Sequence, residues 1–234
     1  MDKTLYLIPC TLGESPVNRV LPEYTIHIVN EINTYIVENE RSARRFLIKL
    51  GIQTPIDDLT LLPVNEHTSD TDAGKLFLNI KEGPVGLLSE AGVPCVADPG
   101  KSVVLAAHKN DYKVVPLVGP SSILLGIMAS GLNGQNFAFN GYLPVKSHER
   151  IQKIKFLENR SVHENQSQLF MEAPYRNNQL LTDILKTCSE NTLLTIACEL
   201  TTENEFTLTL TIKEWKGRTI DLHKKPTIFG IQKY

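Results

Sequence analysis

Ser89-Glu90-Ala91-Gly92-Val93-Pro94-Cys95-Val96-Ala97-Asp98-Pro99-Gly100 follows directly on the short apolar run Val85-Gly86-Leu87-Leu88. A buried strand that stops in a turn of small residues and prolines is the mark of a strand end in an open α/β sheet, where ligands bind. Small side chains let a ligand approach the backbone, Pro94 and Pro99 stiffen the turn, and Asp98-Pro99 is suited to start the next helix. Two further segments extend the pattern. Pro116-Leu117-Val118-Gly119-Pro120-Ser121-Ser122 follows the next apolar strand, and Phe139-Asn140-Gly141-Tyr142-Leu143-Pro144-Val145-Lys146 lies further on.

Around this centre, apolar runs alternate with helical stretches. Leu5–Ile8, Thr34–Val37, Leu59–Val64, Val85–Leu88 and Tyr112–Pro116 read as strands, and the alternation predicts a parallel α/β sheet. Helices are predicted over Ser42–Lys49, stopped by Gly51, over Thr71–Lys81, stopped by Gly83, and over Ser121–Ser130, stopped by Gly131, each with glycine as its C-terminal cap. Beyond 140 the pattern changes. A helix is followed by the strand Gln168–Met171, the helix Asn177–Cys188 and the strands Leu193–Cys198, Phe206–Leu210 and Thr227–Ile231, which suits a mixed α/β domain with antiparallel pairs. The division expected is 1–140 and 141–234.

With 234 residues and 41% hydrophobic content, the chain is long enough to bury its cores without staples. The four cysteines form no Cys-x-x-Cys pair and the six histidines lack metal-ligand spacing, so reduced thiols and no metal are expected. Met1-Asp2-Lys3 leads into a strand without a signal-peptide core, and no apolar stretch approaches the ~20 residues that span a bilayer. A cytoplasmic protein with no membrane partner is the expectation. The net charge of −2 argues against broad coating of nucleic acid. Local basic patches remain, at Arg41, Arg44 and Arg45 on one helical face and at Lys146, His148, Arg150, Lys153 and Lys155. Each reads equally as solvated surface.

The three turn segments, in this order and spacing, resemble the tetrapyrrole methylase superfamily, and within it most closely the family that 2′-O-methylates a cytidine ribose in small-subunit ribosomal RNA. The family pattern is a Ser-Asp-Ala-Gly-Thr-Pro turn with Asp-Pro-Gly, a Pro-Gly-Pro-Ser-like turn, and Gly-Phe-Leu-Pro-x-Lys leading into a second domain. The likeness continues through Leu5-Tyr6-Leu7-Ile8-Pro9, Glu38 to Arg44, Glu172-Ala173-Pro174-Tyr175-Arg176 and Glu199-Leu200-Thr201. It implies a two-domain tetrapyrrole methylase-like fold with S-adenosyl-L-methionine in the cleft between the domains. It also implies a homodimer and ribosomal RNA as partner. By the same resemblance, cofactor contacts fall on Leu12, Gly92, Val93, Val96, Ser121, Ser122, Met171 and Ala197. Read alone, Val96, Met171 and Ala197 are core residues and Ser121-Ser122 is a helix N-cap.

Methyl transfer to a hydroxyl requires that the acceptor be positioned and its proton removed. The family's Glu-Asp-Thr-Arg-His-Ser segment is Glu38-Asn39-Glu40-Arg41-Ser42-Ala43 here. Glu38 and Arg41 are the catalytic candidates, and a structural pair at a helix start accounts for them equally. Asn39 and Ser42 replace an aspartate and a histidine. Pro9-Cys10-Thr11-Leu12-Gly13 lacks the glycine spacing of a dinucleotide site, which excludes NAD. Gly13-Glu14-Ser15, Val93 and Ala173-Pro174-Tyr175-Arg176 also depart from the family pattern, and the longer members' basic C-terminal extension has no counterpart. The first reading is an S-adenosylmethionine-dependent methyltransferase that 2′-O-methylates a ribose in ribosomal RNA; the alternatives are a methylase of a tetrapyrrole-like small molecule and a non-catalytic S-adenosylmethionine-binding protein.

Overall fold

The computed structural model describes residues 3–65, 67–80 and 83–234. Contacts divide them between Ser121 and Ser122 into two compact units, ahead of the 140/141 junction expected from the sequence. The difference lies in helix α5 (Ser122–Ser130), which packs on the sheet of the second unit: its Gly126 faces Ile228 and Ala197, and Ser130 accepts a hydrogen bond from Thr209.

The first unit is a five-stranded parallel sheet of β1 (Thr4–Ile8), β2 (Thr34–Val37), β3 (Thr60–Pro63), β4 (Val85–Leu88) and β5 (Lys113–Pro116), ordered β3-β2-β4-β1-β5. β4 is the middle strand and all four of its residues are buried, which is why it reads as an unbroken apolar run rather than an alternating one. Helices cover both faces. Helices α1 (Glu23–Val29) and α2 (Glu40–Leu50) bury Ile28, Val29, Ala43, Phe46 and Leu47 with Ile8, Tyr35 and Val37. On the other face α3 (Asp70–Asn79) and α4 (Lys101–Lys109) bury Ala73, Phe77, Val103 and Ala106 with Leu5, Ile36, Val85 and Leu87.

Helix ends follow local chemistry. Asn39 caps α2 through its side-chain oxygen, which accepts from the Arg41 and Ser42 N–H groups, and Gly51 closes the helix in the left-handed region. The predicted glycine stop at Gly83 is corrected: α3 ends at Asn79 with Ile80 extended, and the expected terminal residue Lys81 lies outside the described residues. Asp98-Pro99 does not begin α4 either. That helix starts at Lys101 behind Gly100, because the chain must first reverse through a φ of 133° that only glycine takes readily.

The second unit is a mixed sheet of β6 (Phe137–Tyr142), β7 (Ser167–Met171), β8 (Leu193–Cys198), β9 (Phe206–Thr211) and β10 (Thr227–Gln232), ordered β6-β7-β10-β8-β9. β6 runs parallel to β7 and the other pairs are antiparallel. Beside α5 it carries α6 (Ser147–His163), α7 (Asn177–Thr187) and the single turn α8 (Ile212–Trp215). α6 and α7 enclose a core with Phe170, Phe229 and the fully buried Trp215, whose indole donates to the Leu194 carbonyl at 2.8 Å.

One basic residue belongs to this interior. Arg150 is 1% exposed, with Nε donating to Asp183 at 2.8 Å, Nη2 in ion contact with the same carboxylate at 2.6 Å, and Nη1 donating to the Val145 carbonyl at 2.7 Å. It braces α6 against α7 and the segment before α6, and is not part of a solvated basic patch. Arginine suits that task because its fork serves several acceptors at once. Among the described residues, no helix is long and apolar enough to cross a membrane.

Candidate functional site

In the first unit, the exits of β1, β4 and β5 lie side by side because β1 is central to those three strands. The exits are also tied together. Cys10 and Gly92 exchange backbone hydrogen bonds of 2.7 and 3.2 Å, and the Cys10 thiol donates to the Ser89 carbonyl. Burial, then the Asp98 charge, pushes that thiol far above its ordinary pKa. It is a packing group, not a nucleophile.

Gly92 stands at φ 72°, where a side chain is strained, and a Cβ there would lie 3.1 Å from Leu12 Cδ2 and 3.5 Å from the Pro120 carbonyl oxygen. Leu12, Gly92 and the residue preceding Ser121-Ser122 therefore meet at one spot. In sequence they belong to three separate turns. Val93 is half-buried and Val96 is exposed, so Val96 is not core. Ser121 is buried and Ser122 half-buried at the start of α5. The loop carrying Val96 also passes through positive φ at Cys95 (68°) and Ala97 (65°). Non-glycine residues rarely adopt such angles, and two of them in three residues put stored strain beside the strand end.

Carboxylates gather at the exits of β2 and β4. Asp98 is held up to about 6, first by burial and then by the charges of Glu38 and Glu90, with a hydrogen bond from Ser89 opposing the shift. Glu90 accepts a 2.8 Å hydrogen bond from the Ser42 hydroxyl. Glu38 thus faces other acids, and Arg41 is an exposed residue in the first turn of α2. Asn39 and Ser42 hold definite places: one caps α2, the other links α2 to Glu90. Asparagine caps a helix about as well as aspartate, so this departure from the family pattern leaves the local backbone intact. Asp98 and Glu90 were missed as charged site residues. Their signal was an acid within a small-residue turn after a buried strand.

The remaining candidates lie in the second unit. Met171 ends β7, half-buried, opposite Tyr142 of β6 and Ile228 of β10. Ala197 is enclosed with Ile123, Ile127 and Ile228 beneath α5, as a core residue would be. After β7, buried Glu172 accepts from the Ala173 N–H at 2.7 Å and from Arg176 Nη2 at 2.6 Å. Of the basic groups, Arg44 is engaged with the Ile56 carbonyl and Asp57, both at 3.3 Å, while Arg41 and Arg45 are exposed. Among the described residues, no group of three or more His, Cys, Asp or Glu side chains is arranged to hold a metal ion.

No family model matches the chain. It is 32% identical over 176 residues to ribosomal RNA small subunit methyltransferase I of Xylella fastidiosa, a match covering 75% of this chain and 61% of the relative. The protein of the same name from Vibrio cholerae is 29% identical over 198 residues, covering 84% and 65%. The chain thus spans under two thirds of the length of these relatives. Among solved structures, the methyltransferase CobJ superposes with a TM-score of 0.62 at 14% identity, covering 99% of this chain and 94% of the other. The uroporphyrin III C-methyl transferase of Thermus thermophilus gives 0.57 at 14% identity, covering 98% and 97%. The chain shares the fold of these two methyltransferases, and its sequence is similar to that of ribosomal RNA small subunit methyltransferase I.

Proposed function

We propose that this protein is an S-adenosylmethionine-dependent methyltransferase that acts on a ribose 2′-hydroxyl of ribosomal RNA. The observation that carries the reading is the meeting of Leu12, Gly92 and Pro120 at the exits of three neighbouring strands. A glycine there leaves open the space that a Cβ would fill, and a bound methyl donor needs such close access to backbone. The sequence relatives supply the acceptor class.

In this reading Leu12, Gly92, Val93, Val96, Ser121 and Ser122 hold the donor. Backbone groups of the small-residue turns take its polar ends, and the valines and Leu12 give an apolar wall. When bound, the donor supplies an electrophilic methyl on a positively charged sulfur. Glu38, Glu90 and Asp98 provide negative charge that favours a cationic ligand over a neutral one. The same acids are the groups able to accept the hydroxyl proton, and a carboxylate held near 6 is a better base at neutral pH than an ordinary aspartate. Exposed Arg41 and Arg45 are suited to RNA phosphates.

A cytoplasmic two-fold dimer is the assembly proposed, in line with the family resemblance and with the commonest oligomeric symmetry. Asn39 keeps the cap of α2 and Ser42 bonds Glu90, but neither supplies the acid-base group of the family's aspartate and histidine, which is what favours a non-catalytic binding protein as the second reading. Calorimetry tests the donor site: S-adenosylmethionine and S-adenosylhomocysteine should bind with micromolar affinity, roughly −8 kcal/mol. Absence of binding by both ligands at millimolar concentration overturns the proposal.

A further inference from the structure

Beside Met171, the second unit exposes a cluster of planar groups that the donor site does not use. Tyr142 and Tyr175 are each 60% exposed, and the Arg176 side chain between Glu172 and Tyr175 is 23% exposed. The Arg176 guanidinium lies 4.9 Å from the Tyr175 ring centroid and donates from Nη1 to the Tyr175 hydroxyl at 2.7 Å; Glu172 first, then Tyr175 and Tyr142, hold its pKa above the ordinary value. The buried Glu172 carboxylate anchors the guanidinium through Nη2 at 2.6 Å. That anchor fixes a long, flexible side chain in one plane, so little further ordering is needed when a ligand stacks on it.

Tyr142 is turned outward by a specific backbone device. The β6–β7 register shifts between Phe139 and Tyr142, and Gly141 within the irregularity has φ 64°. Bulges of this kind re-aim a side chain, and here the shifted residue pairs with Met171. The cluster thus lies where β6 meets the end of β7.

We propose that Tyr142, Tyr175 and the Arg176 guanidinium form a stacking platform for an unpaired base of the RNA. The proposal rests on the RNA reading above. Single-stranded RNA is characteristically held by stacking its bases on aromatic rings and arginine planes. Such a platform orients the nucleotide without phosphate contacts, which fits a chain of net charge −2.

The test uses the full chain and single-stranded oligonucleotides tiled across small-subunit ribosomal RNA, each also made with one abasic site at successive positions. For the wild type, removal of one or two particular bases should weaken binding at least ~10-fold, in line with the strength of base–aromatic stacking. The double variant Tyr142→Ala/Tyr175→Ala should lose at least ~10-fold on the intact oligonucleotide and become indifferent to those same abasic sites. Tyr142→Phe/Tyr175→Phe should restore both properties. S-adenosylhomocysteine affinity and the thermal midpoint report on folding. The platform is refuted if the folded alanine variant binds intact RNA like the wild type, or if it loses the same factor on every abasic RNA. It is refuted equally if the variant loses binding of uroporphyrinogen III while keeping that of RNA, since the surface then serves a macrocycle. A wild type that binds none of the RNAs refutes the RNA reading itself, and the platform with it.

Discussion

Replacing Asp98 by Asn tests the carboxylate cluster directly. Asp98 is raised from 3.8 to about 6, and a shift of that size corresponds to a ceiling of about 3 kcal/mol at 1.36 kcal/mol per pH unit. The carboxyl is only partly shielded from solvent, so about 1–2 kcal/mol is the realistic effect. The folded state binds the proton more tightly than the unfolded chain. Its stabilisation is therefore complete below about pH 4 and lost as pH rises through about 6. The amide introduced by Asp98→Asn cannot ionise and keeps an oxygen that can accept from Ser89. The variant should gain about 1–2 kcal/mol relative to the wild type between pH 4 and pH 7. Urea denaturation of both proteins at half-unit steps measures the difference, in which other titrations largely cancel. A difference that stays constant across this range refutes the argument that Asp98 carries a buried charge against Glu38 and Glu90.

Gly92→Ala should weaken S-adenosylhomocysteine binding at least ~10-fold, about 1.4 kcal/mol, and lower stability by about 1–2 kcal/mol through the left-handed backbone; calorimetry and urea melts check both. Asn39→Asp should leave stability within about 0.5 kcal/mol and Asn39→Ala should cost about 1 kcal/mol by loss of the α2 cap, as read by chemical denaturation. Arg150→Met should cost about 3–5 kcal/mol by stranding the buried Asp183 carboxylate, and Arg150→Met/Asp183→Leu should recover much of it. A small loss in the single variant would show that Arg150 is peripheral.

The parallel sheet was legible because its strands are short apolar runs bounded by turn residues, as in Val85–Leu88, where burial on both faces removes any polar alternation. The α2 boundaries were within two residues of expectation because the cap signals are local. The end of α3 was not, since a nearby glycine does not compel a helix to reach it. Long-range chemistry escaped for a related reason. Arg150 sits in a run of basic residues, and only the packing of α6 on α7 brings it to Asp183, 33 positions away. The convergence of Leu12 and Gly92 with Pro120 depends likewise on strand order, which places β1 between β4 and β5 although they are distant in sequence. Asp98 was visible as a residue but not as a charge: Glu90 shares its turn after β4, but Glu38 arrives from the end of β2.

The most direct test is transfer itself. Purified protein is incubated with isotopically labelled S-adenosylmethionine and small ribosomal subunits from cells lacking it, and the ribosomal RNA is digested and its nucleosides separated by mass spectrometry. The expected result is one nucleoside bearing the label on its ribose, at least ~10-fold less of it when Gly92→Ala replaces the wild type at limiting donor. Label on a base, or RNA without label while the donor binds with micromolar affinity, contradicts a ribose methylase.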